Sequence, residues 1–165
     1  MIRKTLDLGC GATPKNPFDM EDVYGIDISA FGHEKILKAD LAIEPIPFEN
    51  DFFDGLSAFD FIEHIPRVIY RPDRRLCFVE LMNEIYRVLK VGGLFFSFTP
   101  AFPAAAAWRD PTHVNIITEE TFPLYFDDVN RLASIYGFQG HFKIEEQKWH
   151  DNNMHLITVM RKVNP

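Results

Sequence analysis

A chain of 165 residues, 47% of them apolar, can bury one well-packed core and is too short for two ordinary domains, so residues 1–165 are expected to form a single domain. Its net charge of −7, without a Lys/Arg-rich run, works against a polyanionic partner. Cys10 and Cys77 sit in unrelated contexts that exclude a disulfide framework or a paired-cysteine metal site; with no export signal and no apolar stretch near the ~20 residues of a membrane span, a cytoplasmic protein is expected.

In chain order, strands are expected near 4–8, 23–27, 35–39, 53–58 and 93–98. The first ends in Leu6-Asp7-Leu8-Gly9-Cys10-Gly11, and the second carries Asp27 at its tip. Glycines at 9 and 11 let the backbone turn tightly and approach a ligand with no Cβ in the way, and a carboxylate on the next strand tip accepts both hydroxyls of a ribose. A dinucleotide fingerprint would place a third glycine at 14 and open a helix there; Pro14 and Pro17 stand instead and leave little room for a first helix.

A helix is predicted after Asp73, where Leu76, Val79, Met82, Ile85, Tyr86 and Leu89 recur at helical spacing until Gly92-Gly93 stops the run. A second begins at Thr118-Glu119-Glu120 and should be interrupted by Pro123. A third runs from about Asp127, with Val129, Leu132, Ala133 and Tyr136 on one face and Gly137 at its end. Phe142 to Trp149 and Met154 to Lys162 read as strands joined by a turn at Asp151-Asn152-Asn153, too short for a parallel crossover, so they pair antiparallel.

The apolar-acid-apolar-Gly-x-Gly segment at 6–11 resembles the first motif of the class I S-adenosylmethionine (SAM)-dependent methyltransferases, and further segments extend the likeness over nearly the whole chain. Ala39-Asp40-Leu41 resembles the loop after the third strand, 52–59 the fourth strand, and 84–93 the helix and turn leading into the fifth. The resemblance implies an α/β, Rossmann-like fold with a seven-stranded, mostly parallel sheet in the order 3-2-1-4-5-7-6, ending in an antiparallel hairpin. Thr13, where the family has a small residue, and the short path from Gly11 to Asp27 imply a branch whose first helix is reduced to a loop. The early first strand implies that the family's preceding lid helices are missing, so that the site is open for a large acceptor or covered by a partner or second subunit.

The implied cofactor is S-adenosylmethionine. Asp7, Gly9, Cys10, Gly11 and Ile28 would belong to its binding site, Asp27 hold the ribose, Asp40 and the Leu41 backbone meet the adenine, and Ala58 and Phe59 lie along it. Methyl transfer needs an acceptor lone pair in line with the methyl carbon and removal of a proton where the acceptor is acidic.

Asp60, Glu63 and His64 follow the fourth strand at i, i+3 and i+4, so a helix starting there projects all three from one face. This resembles the Glu-x-x-Glu-His segment that binds a divalent ion in ubiquinone-pathway O-methyltransferases and small-RNA 2′-O-methyltransferases. Arg109-Asp110-Pro111-Thr112-His113 resembles the RNA enzymes' loop after strand five, making His113 the fourth candidate ligand for a cation such as Mg2+. Three readings stay open here: metal binding by Asp60, Glu63, His64 and His113; metal-free catalysis with His113 as general base or substrate contact beside Asp110; and a structural role. The function implied is O-methylation of a small molecule, with a non-catalytic SAM-binding subunit and an RNA 2′-O-methyltransferase as alternatives. Arg67, Arg71, Arg74 and Arg75 form a basic cluster that is either a solvated helix start or a grip for an acidic acceptor. The histidines at 33, 141, 150 and 155 share no spacing and receive no assignment.

Overall fold

The computed structural model describes residues 2–29 and 31–165. Its seven strands are β1 (Lys4–Leu8), β2 (Asp22–Asp27), β3 (Ile36–Lys38), β4 (Phe53–Phe59), β5 (Leu89–Pro100), β6 (Phe142–His150) and β7 (His155–Lys162). They form one sheet in the order β3-β2-β1-β4-β5-β7-β6, the expected topology. Strands β1 to β5 run parallel, whereas β7 pairs antiparallel with both β5 and β6.

Among the described residues no helix joins β1 to β2 or β2 to β3; the path from Gly11 to Asp22 is the expected loop. One long helix, α1 (Cys77–Val88), follows β4 and buries Phe78, Leu81, Met82, Ile85 and Val88 in a core shared with Leu6, Leu8, Leu56 and Phe95. At about 1.5–3 kcal/mol for each large aliphatic side chain, this stripe is what holds α1 on the sheet. Glu80 in its first turn and Arg87 in its last suit the helix dipole. Its final carbonyls do not face the core unpaired: buried Lys162 donates from Nζ to Tyr86 O at 2.9 Å and Leu89 O at 2.7 Å, and to Asp51 Oδ1 at 2.7 Å.

Three helix expectations are corrected. α1 stops at Val88, before Gly92-Gly93, because Leu89 is already extended and pairs with Phe53; the glycines lie inside β5 at a register shift, where Gly92 takes φ +83°. A four-residue helix, α2 (Ala106–Arg109), comes next, and then α3 (Thr121–Tyr125), which contains Pro123 instead of being broken by it. That proline sits in the first turn, where an N–H has no intrahelical partner to lose. The helix expected from Asp127 shrinks to a 3-10 turn, Leu132–Tyr136. Asp127 is pinned to the sheet edge, its Oδ2 accepting from the Ile144 N–H at 2.9 Å, and Arg131 adopts a left-handed conformation. Of the expected apolar face only Ala133 is buried; Val129 is 88% exposed.

Candidate functional site

The carboxyl ends of β1, β2, β3 and β4 bound a groove of about 270 Å3, the place where an open parallel sheet presents backbone and side chains to a ligand. Gly9 and Asp27 stand on one side, Ala39, Asp40 and Leu41 on another, and Asp60, Phe61 and His64 close it. Gly9 has φ +67°, and a Cβ there would lie 2.4 Å from the Phe61 ring, so bare main chain at this position admits the ring.

Asp27 is fixed at the β2 tip by its own chain: Oδ2 accepts from the Gly11 N–H at 2.9 Å and Oδ1 from the Ser29 N–H at 2.8 Å. A carboxylate has about four acceptor sites, so each oxygen keeps one for a hydroxyl. Ile28, 63% exposed, lines the same groove. Asp40 is likewise braced, with Oδ1 accepting from the Ala42 N–H at 3.1 Å.

Four further residues expected along the cofactor have side chains engaged with the fold. Asp7 is buried, and both its oxygens serve the fold: Oδ1 accepts from Ser57 Oγ at 2.7 Å and Oδ2 from the Lys15 N–H at 2.8 Å. Burial holds its carboxyl above the usual range, and its part is to tie down the loop after Gly11. Cys10 turns inward, since a Cβ on Gly25 would meet its Sγ at 2.4 Å. Burial, with Asp7 and Asp27 adding, pushes the Cys10 thiol up to about 11. Native protein is therefore expected to take up no iodoacetamide at about pH 8, whereas unfolded protein takes up two equivalents, countable by mass spectrometry. Ala58 is buried in the core, and Phe59 packs on Phe96 and Phe98 with Lys15 Nζ 4.7 Å from its ring centroid.

Beside the groove, one ligand atom each from Glu63, His64 and His113 lies within 4.8 Å of the others. Glu63 and His64 come from a 3-10 turn, Ile62–His64, and His113 from the loop before α3. The N–H groups of Val114 and Asn115, both 2.9 Å from Glu63 O, hold that loop against the turn. Glu63 is 1% exposed; its Oε2 accepts from Thr99 Oγ1 at 2.8 Å, while Oε1 is buried without a partner. Desolvation first, and Asp60 nearby, push its carboxyl up to about 7.

The two imidazoles are oriented by acceptors behind them. The Thr112 hydroxyl donates to Asp110 Oδ1 at 2.6 Å, so toward His64 Nδ1, 3.0 Å away, it is an acceptor. His113 Nδ1 lies 3.3 Å from Ala107 O, an obligate acceptor. Both rings thus carry the proton on Nδ1 and present Nε2 as a lone pair, the tautomer that suits a base or a metal ligand. Asp110 acts through Thr112; its closest oxygen is 4.0 Å from His113 Nε2.

Asp60 does not join this group. It precedes the 3-10 turn with φ +48°, which removes the shared helical face, and its Oδ1 lies 3.1 Å from His155 Nε2. His155 stacks on Phe98 with ring centroids 4.3 Å apart. This contact escaped the sequence reading, although the hairpin held the signal: the first residue of β7 must sit opposite the end of β5, and His155 pairs with Pro100.

A family model described as a methyltransferase domain matches residues 6–97, more than half of the chain. Among solved structures, the PH0226 protein from Pyrococcus horikoshii OT3 aligns with a TM-score of 0.68 at 20% identity, covering 98% of this chain and 82% of that one. A SAM-dependent methyltransferase from Archaeoglobus fulgidus gives 0.63 at 17% identity, covering 98% and 86%. The 1,6-didemethyltoxoflavin-N1-methyltransferase of Burkholderia thailandensis, solved with bound 1,6-didemethyltoxoflavin and S-adenosylhomocysteine, gives 0.60 at 13% identity, covering 98% and 71%. No curated protein matches in sequence. With the strand order, the glycine turn and the carboxylate groove agreeing with the matched domain, this chain belongs to the class I SAM-dependent methyltransferases.

Proposed function

We propose that residues 1–165 act as one domain that O-methylates a small hydroxylated acceptor, with SAM in the groove between Asp27, Asp40 and Phe61 and the acceptor hydroxyl brought to Glu63, His64 and His113. The observation carrying this reading is that His64 belongs both to the groove wall and to the three-residue group, so the methyl donor and the acceptor-activating side chains share a boundary. Glu63 keeps a buried, unpartnered Oε1, and a carboxylate oxygen together with one ring nitrogen from each of His64 and His113 makes a donor set that fits a divalent cation. A cation held by these three residues would supply Lewis acidity that lowers the pKa of an acceptor hydroxyl. The chain itself orients the imidazoles through Thr112 and Ala107 and offers Nε2 to receive a proton.

A small acceptor is favoured over nucleic acid by the net charge of −7 and by the uncharged, exposed Phe102, Trp108 and Val114 on α2 and the loops around it. The same apolar exposure supports coverage of the site by a second copy or a partner. Among the described residues no helix is long and apolar enough to cross a membrane.

Calorimetric titration with Mn2+ or Mg2+ tests the donor set. One equivalent is expected to bind, and His64→Ala or His113→Ala should each weaken it by roughly 10- to 100-fold. Equal binding to wild type and both variants would remove the metal from the mechanism and leave His113 or His64 as the base.

A further inference from the structure

A cavity of about 440 Å3 lies between the first turns of α1 and the segment carrying α3 and the following 3-10 turn, and neither the cofactor groove nor the histidine site uses it. Its floor is apolar, made by Phe78, Leu124, Phe126 and Ala133, with the Phe78 and Phe126 rings meeting edge to face at 5.4 Å. The size and lining are those of a small-molecule site.

Charge at its mouth is specific. Arg67 and Arg74 line it, against a single exposed carboxylate, Glu120. Within the same loop Arg75 is already committed, donating to Glu80 and to Ile43 O. Arg67 uses Nε on Asn115 Oδ1 at 2.8 Å and Nη2 on Ile116 O, and its Nη1 meets no acceptor among the described residues. Arg74 is exposed and makes no hydrogen bond among the described residues. Two guanidinium groups with spare donors therefore stand over an apolar floor in a protein that is acidic as a whole.

We infer that this cavity binds a small amphipathic anion, with its apolar body against Phe78, Leu124 and Phe126 and its carboxylate or phosphate head on Arg67 and Arg74. Arginine suits that head because its planar fork meets two oxygens at once. The site also touches the chemistry indirectly. Arg67 holds Asn115, whose N–H bonds to Glu63 O and whose Nδ2 donates to Ile62 O at 3.0 Å, so an occupied cavity braces the segment that delivers His113.

Titration calorimetry with sodium decanoate, decyl phosphate, decanol and decylammonium on the full chain tests this, with S-adenosylhomocysteine affinity and melting temperature measured in parallel. One or both anions should bind with Kd below about 1 mM, and comparing the two tells carboxylate from phosphate. Decanol and decylammonium should bind at least about tenfold more weakly, and Arg74→Gln should cost the anion about tenfold. Val79→Trp or Leu124→Trp should fill the cavity and abolish binding while S-adenosylhomocysteine affinity is unchanged; the second variant serves if the first fails to fold. Equal binding of decanol and the anions, or retention of anion binding in both Arg74→Gln and a folded tryptophan variant, would overturn the inference, as would no binding of either anion. A wild type that binds the anion but not S-adenosylhomocysteine would refute the cofactor reading and leave this one standing.

Discussion

Replacing Asp27 by alanine is expected to weaken S-adenosylhomocysteine binding by about 2–3 kcal/mol, roughly 30- to 150-fold, because in the proposed placement of the cofactor two charge-assisted hydrogen bonds to the ribose disappear together. Asp27→Asn keeps one carbonyl acceptor and should fall between the variant and wild type. The effect is local. Asp27 meets the turn through the N–H groups of Gly11 and Ser29, so its loss slackens the glycine loop but leaves β1 and β2 paired along Lys4–Leu8. Calorimetry on the three proteins measures it, and affinities within twofold of one another would place the ribose elsewhere.

Glu63 sets the second large expectation, in the pH dependence of stability. Its carboxyl is raised to about 7 in the folded protein from an ordinary value near 4.5, so folding favours the protonated form. The stabilisation is complete below the unfolded value and is lost as pH rises through about 7, a decline of about 3 kcal/mol from this group. Glu63→Gln, neutral and of the same shape, should remove that decline, giving a variant more stable than wild type by about 3 kcal/mol above pH 8 and nearly equal to it below pH 4. Denaturant melts of both proteins across this range yield the difference, in which the other titrating groups cancel. If the donor set holds a cation, Mn2+ should restore the alkaline stability of wild type and do little for Glu63→Gln. Parallel pH profiles for the two proteins would mean that the carboxyl is not desolvated as described.

Features written in short-range pattern were legible in the sequence. Glycines 9 and 11, the apolar period of α1 and the hairpin turn each state a backbone requirement within a few residues, while the sheet order came from the family likeness. Asp27 was legible for the same reason, at the tip of β2, whereas Asp40 and Leu41, in the loop after β3, came from the family likeness. What failed depended on competition from distant partners. The periodic run after Asp127 lost its helix because Asp127 bonds to the sheet edge at Ile144, seventeen residues on. Asp60 looked like a helix-borne ligand until its left-handed backbone and His155, ninety-five residues away, drew it off. The inward direction of the Asp7 and Cys10 side chains was likewise not written in the motif; it follows from alternation along the strand and its turn.

The turn that joins β6 to β7 has three consecutive residues, Asp151, Asn152 and Asn153, at positive φ, and His155 follows almost at once. Strand side chains alternate between faces, so the number of residues in that turn fixes by parity which side chain arrives opposite Asp60. A one-residue slip of β7 against β5 would swing the imidazole to the opposite face and take away the partner of Asp60, a residue of the groove wall. The length of a surface hairpin thereby bears on which side chain braces the carboxylate that closes the groove.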